Sequence, residues 1–392
     1  MKINTTNRSK LIKQVLDRGV VNIIPGRAKL EKLLKSNKKL NIYFGIDPTA
    51  THIHVGNAVS LRKLQKFVEL GHNVTFLIGD FTALIGDTSD KDTERPVLTY
   101  EQIRSNFKNY KKQASKVLDF SKVKVVHNSE WLKKLNFEDI VKLCQRFSFG
   151  EFASRELIAK RLKVGTKVGL HEALYPVMQG YDSYHLDTDI QMGGADQTFN
   201  MQAGRILQKD LRGKESFVLV NGYLEGTDGR KMSKSWGNAI WLDDSPSDMY
   251  GKIMSVKDDL IVTYFTLATN LSNEKIKEKE KRLKSGTNPM VLKKELALQV
   301  VTELHSAKEA LKAQEEFEKT FQEKAPDFNQ TVINKGSLIE TLKELVGSRS
   351  EIKRLIKQGG IDIDGVKVTD INHKFNSGQK VKIGKKIFVT IK

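Results

Sequence analysis

The sequence predicts an α/β fold in three parts: a doubly wound parallel sheet, then a helical region, then a small α+β module. Three observations carry this. Short runs of branched and aromatic residues alternate with helix-period segments from about Asn41 to about Leu224. The pattern turns helical, charged and almost strand-free from Ser245 to about Lys324. From Ser337 onward, two amphipathic helices are followed by short strands.

Taken in order, "NIYFGID" (Asn41 to Asp47) and "NVTFLIG" (Asn73 to Gly79) are strand-like runs. Between them, Val59, Leu64, Phe67 and Val68 recur near helical spacing, and Gly71 closes the helix. Strand, loop, helix and strand in this order predict a parallel unit with a right-handed crossover. "KVKVVHN" (122–128), "TDIQMGG" (188–194) and "SFVLVNG" (216–222) read as further strands. The result is a Rossmann-like sheet whose ligands bind beyond the carboxyl ends of the strands. "APDFNQTVINKG" (325–336) reads as a linker. After it, Gly359-Gly360 turns the chain and Asp364-Gly365 signals a hairpin.

Composition bounds the function. Hydrophobic residues make up 39% and charged residues 29% of 392, a globular composition. No apolar run approaches the ~20 residues that span a bilayer, and the N-terminal stretch lacks the pattern of a signal peptide. The expectation is a cytoplasmic protein without a membrane partner. One cysteine, Cys144, rules out an intrachain disulfide and a multi-cysteine metal site, and such a residue is ordinarily a small packed apolar group. The net charge of +19, from 66 basic and 47 acidic residues, favours a polyanionic partner. The tail from Thr331 is basic beyond its share, with 13 basic against 6 acidic residues.

Two stretches carry chemistry. In "TATHIHVGN" a strand has just ended, Pro48 and Thr49 turn the chain, and a helix starts near Val55 or Gly56. A helix N-terminus offers unpaired N–H groups and partial positive charge to phosphate. Gly56 lets a nucleotide approach the backbone. His54 and Asn57 lie about one turn apart and can face one ligand. The G-x-G-x-x-G and G-x-x-x-x-G-K-[ST] patterns are missing here, so a nucleotide is held in another way. His52 and His54 could instead ligate a metal, but no further ligand has suitable spacing. Taken alone, His54 reads best as an ordinary surface or core histidine. The second stretch, "GTDGRKMSKSWGN" (Gly226 to Asn238), changes the weighting. Lys231 and Lys234 on a glycine-flanked loop can close on a triphosphate and balance the charge of departing pyrophosphate. Alone, that loop would read as a solvated basic surface.

H-x-G-N followed by K-M-S-K-S after the last strand resembles the signature pair of class I aminoacyl-tRNA synthetases. "YFGIDPT", "LIGDTSD", "YPVMQGYD" and "QMGGADQ" make the chain similar to the bacterial tyrosyl-tRNA synthetases, and the tail resembles a small RNA-binding domain shared with a ribosomal protein. The resemblance covers nearly the whole chain. It implies that Tyr43 and Asp182 bind the phenolic hydroxyl of tyrosine, and that Asp87, Tyr175 and Gln179 hold its α-amino group. Gln191 and Gln197 would lie near the carboxylate and the surrounding network. Gly45, Asp47, Gly56, Gly194 and Asp196 would contact ATP or the adenylate. Thr49, His54 and Asn57 would meet the phosphates from one side, Lys231 and Lys234 from the other. ATP would be a substrate arriving with Mg²⁺, with no tightly bound, protein-ligated metal; tRNA(Tyr) and tyrosine would be the other partners. The implied division is a catalytic domain at 1–240, a helical anticodon-side domain at 241–325 and an RNA-binding domain at 331–392. An insertion at about 110–169 would supply a homodimer interface and is too short for an editing domain. The signature commonly ends in histidine, and here Asn57 stands in that place. The tryptophan enzymes of the same fold are the nearest alternative, but they lack the tail module and the D-P-T run at Asp47. A non-catalytic RNA-binding relative would be expected to have lost one signature.

Overall fold

The computed structural model describes residues 5–48, 51–86, 99–322, 328, 330–384 and 387–392. The chain divides into two compact units, residues 1–310 and 311–392.

The first unit is built on a six-stranded sheet: β1 (Val20–Ile24), β2 (Asn41–Ile46), β3 (Asn73–Ile78), β4 (Lys124–His127), β5 (Ile190–Gly194) and β6 (Phe217–Asn221). Their spatial order is β1-β6-β5-β2-β3-β4. β2 to β6 run parallel, and β1 pairs with β6 in the opposite sense at one edge. Five strands fall where the apolar runs placed them. β1 went unread, because Val21 and Asn22 of this edge strand face solvent and blur the apolar signal.

The order of strands reverses at β2, which has β3 on one side and β5 on the other. In open sheets of this kind the switch point is where the ligand crevice forms, at the strands' carboxyl ends. Tyr43 of β2 stands in register with Gln191 of β5. Beside the crevice, the helices Leu170–His185 and Thr198–Arg212 pack closely at Gly180 and Gly204. A Cβ on Gly180 would lie 3.1 Å from the Ala203 carbonyl carbon, and one on Gly204 would lie 2.7 Å from Ser183 Cβ. The first of these helices is anchored by a buried ion pair. Arg161 donates to both Glu172 oxygens at 2.7 and 3.0 Å, and Glu172 accepts from Gly169 N at 2.7 Å.

The span 110–169 takes in the end of the helix Tyr100–Ala114, then β4, and then short helices between Ser129 and Lys163. Cys144 lies half-buried in the apolar cluster around Leu143 and Trp131. Beyond the sheet, the helices from Pro246 to Leu304 belong to the same compact unit as the strands.

The second unit has a five-stranded sheet in the order β7-β11-β10-β8-β9. These are β7 (Gln330–Val332), β8 (Ile361–Ile363), β9 (Val366–Lys367), β10 (Lys380–Ile383) and β11 (Ile387–Ile391). Helices Leu338–Val346 and Arg349–Lys357 bury Leu338, Leu342, Ile352 and Ile356 with Val381 and Val389. Asp364 and Gly365 have φ of 50° and 88°, the left-handed pair that a two-residue hairpin of this twist requires. One expectation is corrected here: part of the stretch read as a linker is β7, which pairs in parallel with β11. A three-residue strand is too short to leave a periodic signal.

Gly204→Ala forces a Cβ against Ser183 and the Gln191 amide. Overpacking of this kind costs about 1–3 kcal/mol. A thermal melt of the variant should show its midpoint several degrees lower, whereas an unchanged midpoint would mean that the two helices separate freely.

Candidate active site

The crevice is floored by buried polar side chains that one strand end and one helix bring together. On the helix, Tyr175, Gln179 and Asp182 recur at spacings of four and three and share a face. Asp182 is 1% exposed and accepts from Trp131 Nε1 at 2.7 Å and Asn128 Nδ2 at 3.1 Å. Burial pushes its carboxyl up to about 8; the two donors oppose this, and Asp47 and Asp80 add to it. Tyr43 is also buried, with its hydroxyl 3.4 Å from Gln191 Oε1 and hydrogen-bonded to the Gln179 side chain. Burial, then Asp182, pushes its phenol well above the usual range. Trp131 is held from behind by His185, its ring stacked at 4.3 Å.

One layer up, Asp47 accepts from Tyr175 OH at 2.9 Å and Thr82 Oγ1 at 2.8 Å. A Cβ on Gly79 would come within 2.0 Å of Asp47 Oδ1, so this neighbour strand must carry glycine there. Gly45 lies against Leu77, where a Cβ would be 3.2 Å from Leu77 Cδ2. Gln191 is fixed by its own donation to Met201 O at 3.0 Å. Gly194 ends β5, and the turn that follows carries Asp196 and Gln197, joined at 3.2 Å, with Asn200 donating to Gln197 at 3.1 Å.

The H-x-G-N stretch is a helix start, and its two polar side chains are used on each other's backbone. His54 is the N-cap of Val55–Glu69: its Nδ1 accepts from Asn57 N, and Asn57 Oδ1 accepts from His54 N, both at 3.2 Å. This reciprocal box leaves His54 Nε2 and Asn57 Nδ2 as the atoms that can face a ligand. A Cβ on Gly56 would meet the His54 ring at 2.9 Å and Leu224 O at 3.3 Å, so glycine keeps the ring in its capping position. Burial, then Lys231, pulls the imidazole down to about 4, so it is neutral at neutral pH. His52 turns away to Asp243, with Nδ1 2.8 Å from Oδ2.

The second signature is organised by Asn238, 3% exposed. Its Oδ1 accepts from Ser233 N at 2.9 Å, and its Nδ2 donates to Asp228 at 2.7 Å and Lys231 O at 3.2 Å. Asp228 also holds Arg230, whose guanidinium stacks on Trp236 at 4.6 Å. Lys231 and Lys234 are exposed. The chain then joins the first signature: Val55 N donates to Ile240 O at 2.9 Å, and Leu242 N to Ile53 O at 2.8 Å. The donor set at this mouth is a neutral imidazole, an amide and lysines, which suits an anionic phosphate chain and not a metal ion. Among the described residues, no group of three or more His, Cys, Asp or Glu could hold a metal.

Of the residues singled out from the sequence, Thr49 and Asp87 lie outside the described residues. Of the others, Tyr43, Asp47, Tyr175, Gln179, Asp182 and Gln191 are linked in the crevice, His54 lies in the field of Lys231, and Asp196 and Gln197 pair with each other in the turn after β5. Asn128, Trp131, Thr82, Gly79 and Asn238 went unread. Asn128 directly follows β4, and a search along the strands' carboxyl ends would have found it.

A doubly wound sheet with both signatures at its carboxyl ends defines a nucleotide-dependent class I architecture. Residues 35–322 match the family "tRNA synthetases class I (W and Y)" and residues 342–381 match "S4 domain"; the chain belongs to this class I synthetase family. It is 42% identical over 397 residues to the tyrosine–tRNA ligase of Carboxydothermus hydrogenoformans, covering 96% of this chain and 97% of that one. The tyrosine–tRNA ligase of Thermotoga maritima is 39% identical, with 96% of each chain covered. In fold, the chain is similar to a C-terminally truncated mitochondrial tyrosyl-tRNA synthetase from Aspergillus nidulans, at a TM-score of 0.66 and 21% identity over 80% of this chain and 94% of that one.

The raised Asp182 carboxyl has a consequence for stability. Between its ordinary value of 3.8 and about 8, the folded chain holds a proton that the unfolded chain releases. The contribution is full below about pH 4 and is lost as pH rises to about 8. Asp182→Asn does not titrate, so its denaturation midpoint should gain on the parent's over that window; parallel pH curves would place the carboxyl's titration elsewhere.

Proposed function

We propose that this chain is a tyrosine–tRNA ligase: it activates tyrosine with ATP, releases pyrophosphate, and transfers tyrosine to the 3′ end of tRNA(Tyr). The observation that carries the reading is the floor of buried Tyr43 and Asp182 with half-buried Gln179, beside a mouth formed by His54, Asn57 and the lysine loop. The two parts match an amino acid with a polar ring end and a triphosphate.

In this reading the phenolic hydroxyl of tyrosine meets Asp182 and Tyr43. Phenylalanine would keep water from Asp182 and Tyr43 without supplying the hydrogen bonds of the hydroxyl, a loss of about 1–3 kcal/mol per group. Tyr175, Gln179 and Asp87 take the α-amino group, and Gln191 and Gln197 order the carboxylate end. Gly45, Asp47, Gly194 and Asp196 line the ribose and adenylate, and Gly56 admits the nucleotide to the helix start. The ionised carboxylate attacks the α-phosphorus; an oxygen–phosphorus bond forms as the bond to the bridging oxygen of pyrophosphate breaks. No general base is needed, since the nucleophile is already deprotonated. His54 Nε2, Asn57 Nδ2 and Thr49 receive the phosphates from one side, while Lys231 and Lys234 neutralise the charge on the leaving group. Mg²⁺ travels with the phosphates of ATP. In the second step a ribose hydroxyl attacks the activated carbonyl and AMP leaves.

The same reading divides the chain into a catalytic domain at 1–240, a helical domain at 241–325 and an RNA-binding domain at 331–392. The homodimer interface falls on the insertion at 110–169. Exposed Phe137, Phe149, Leu162 and Val164 support that use, at 81%, 64%, 50% and 69% exposure. The protein acts in the cytoplasm.

Tyrosine-dependent exchange of labelled pyrophosphate into ATP tests the activity. Exchange with tryptophan but not tyrosine would overturn the substrate, and no exchange with any amino acid would overturn the enzyme. In the same assay, Lys234→Ala should cut kcat by two orders of magnitude or more with tyrosine affinity little changed. A defect confined to tyrosine binding would remove the lysine from the transition state. Trp131→Phe deletes one donor to Asp182, so the tyrosine KM should rise about five- to a hundredfold. An unaltered KM would show that Asn128 alone orients the carboxylate.

A further inference from the structure

Outside the crevice, one buried side chain is spent on the segment that leads into the helix Val55–Glu69. Gln113 stands in the last turn of the helix Tyr100–Ala114 and is 7% exposed. Its Oε1 accepts from Ile53 N at 2.8 Å. Its Nε2 donates to Thr51 O at 2.8 Å and to Asn109 O of its own helix at 3.2 Å. Both amide hydrogens and the carbonyl are thus engaged on backbone inside the protein, and the side chain is not placed to meet a substrate. The bonds to Thr51 and Ile53 flank His52 as those from a neighbouring strand would. Asn106, seven residues earlier and on the same face of the helix, donates to Pro48 O at 2.8 Å. The helix therefore grips the stretch between β2 and the H-x-G-N signature near both of its ends.

The opposite edge of the segment belongs to residues 240–242. Ile53 O accepts from Leu242 N, Val55 N donates to Ile240 O, and the Trp241 ring lies 5.7 Å from that of His54. Ile53 is fully buried, so its N–H cannot turn to water in place of a lost acceptor. Next in the chain comes the reciprocal box, in which His54 Nδ1 serves Asn57 N and Asn57 Oδ1 serves His54 N. A box closed on its own backbone moves as a body. His54 Nε2 and Asn57 Nδ2 go where the backbone goes, and what fixes Ile53 fixes both. A misplacement of about 1 Å near reacting atoms can cost on the order of a hundredfold in rate. The hydrogen bonds of Gln113 go to Thr51, Ile53 and Asn109 and not to Tyr43, Gln179 or Asp182, so its leverage lies on the phosphate side.

On the ligase reading above, we propose that Gln113 is a positioning residue for ATP. It sets where the His54–Asn57 box presents its two outward atoms to the phosphates, and it leaves recognition of the amino acid untouched.

The test is pyrophosphate exchange, scaled to titrated active sites, with Gln113→Met, which keeps the side chain's length and packing and removes all three hydrogen bonds. The ATP KM should rise about five- to a hundredfold while the tyrosine KM stays at the parent's value. A role confined to stability would lower the melting midpoint and the number of active sites, and would move neither KM. An unchanged ATP KM, or equal rises in both KM values, would overturn the proposal. Should Gln113→Met fail to fold, Gln113→Glu decides. It keeps the acceptor for Ile53 N and loses the donor to Thr51 O, so the ATP KM should again rise alone; a value equal to the parent's would overturn the proposal. Equilibrium dialysis with labelled ATP separates the two readings. A parent that shows no exchange with any amino acid overturns the ligase reading. Weaker ATP retention by the variant than by the parent would then still uphold the positioning role, and equal retention would overturn it.

Discussion

Two backbone hydrogen bonds, Val55 N to Ile240 O and Leu242 N to Ile53 O, make one site of two signatures that are far apart in the chain. Without them the His54–Asn57 helix start and the lysine loop would be independent surface features. With them, the segment leaving the loop is stitched to the segment entering the helix, and Lys231 comes close enough to lower the His54 imidazole. Gln113 and Lys116 brace the same seam, Gln113 through Ile53 N and Thr51 O and Lys116 through Leu242 O. Ile53, Val55, Ile240 and Leu242 of the seam are buried, and the lysines of the adjoining loop are exposed.

The floor of the crevice follows a different logic. Tyr43, Gln191 and Asp182 are polar groups held where desolvation is costly, and each is oriented by a neighbour that has no contact with the mouth. Trp131 and Asn128 fix Asp182, Met201 O fixes Gln191, and glycines at 79 and 204 clear the space these side chains need. Polar groups fixed in this way cannot turn aside to find another partner when a neighbour offers none.

Much of this was legible in the residues. The apolar runs located β2 to β6, because buried parallel strands are continuous apolar segments. Both signatures are local in sequence and could be read as such. The capping box was harder: His54 is an unusual N-cap, and only coordinates reveal that its ring serves the backbone first. Asn128 and Trp131 come from a different strand and helix than Asp182, so no spacing rule joins them. Edge strand β1 and short β7 were lost for want of an alternating or continuous apolar pattern.

The seam at Ile53–Val55 also sets an order in time. Its two halves flank most of the catalytic segment, so closing it ties off a long loop, whose entropy is recovered only once both ends exist. At about 5–20 residues per second, a ribosome that has made the His54 stretch needs on the order of ten seconds or more to reach Ile240. During that interval the helix start at His54 has no Ile240–Leu242 segment to pair with.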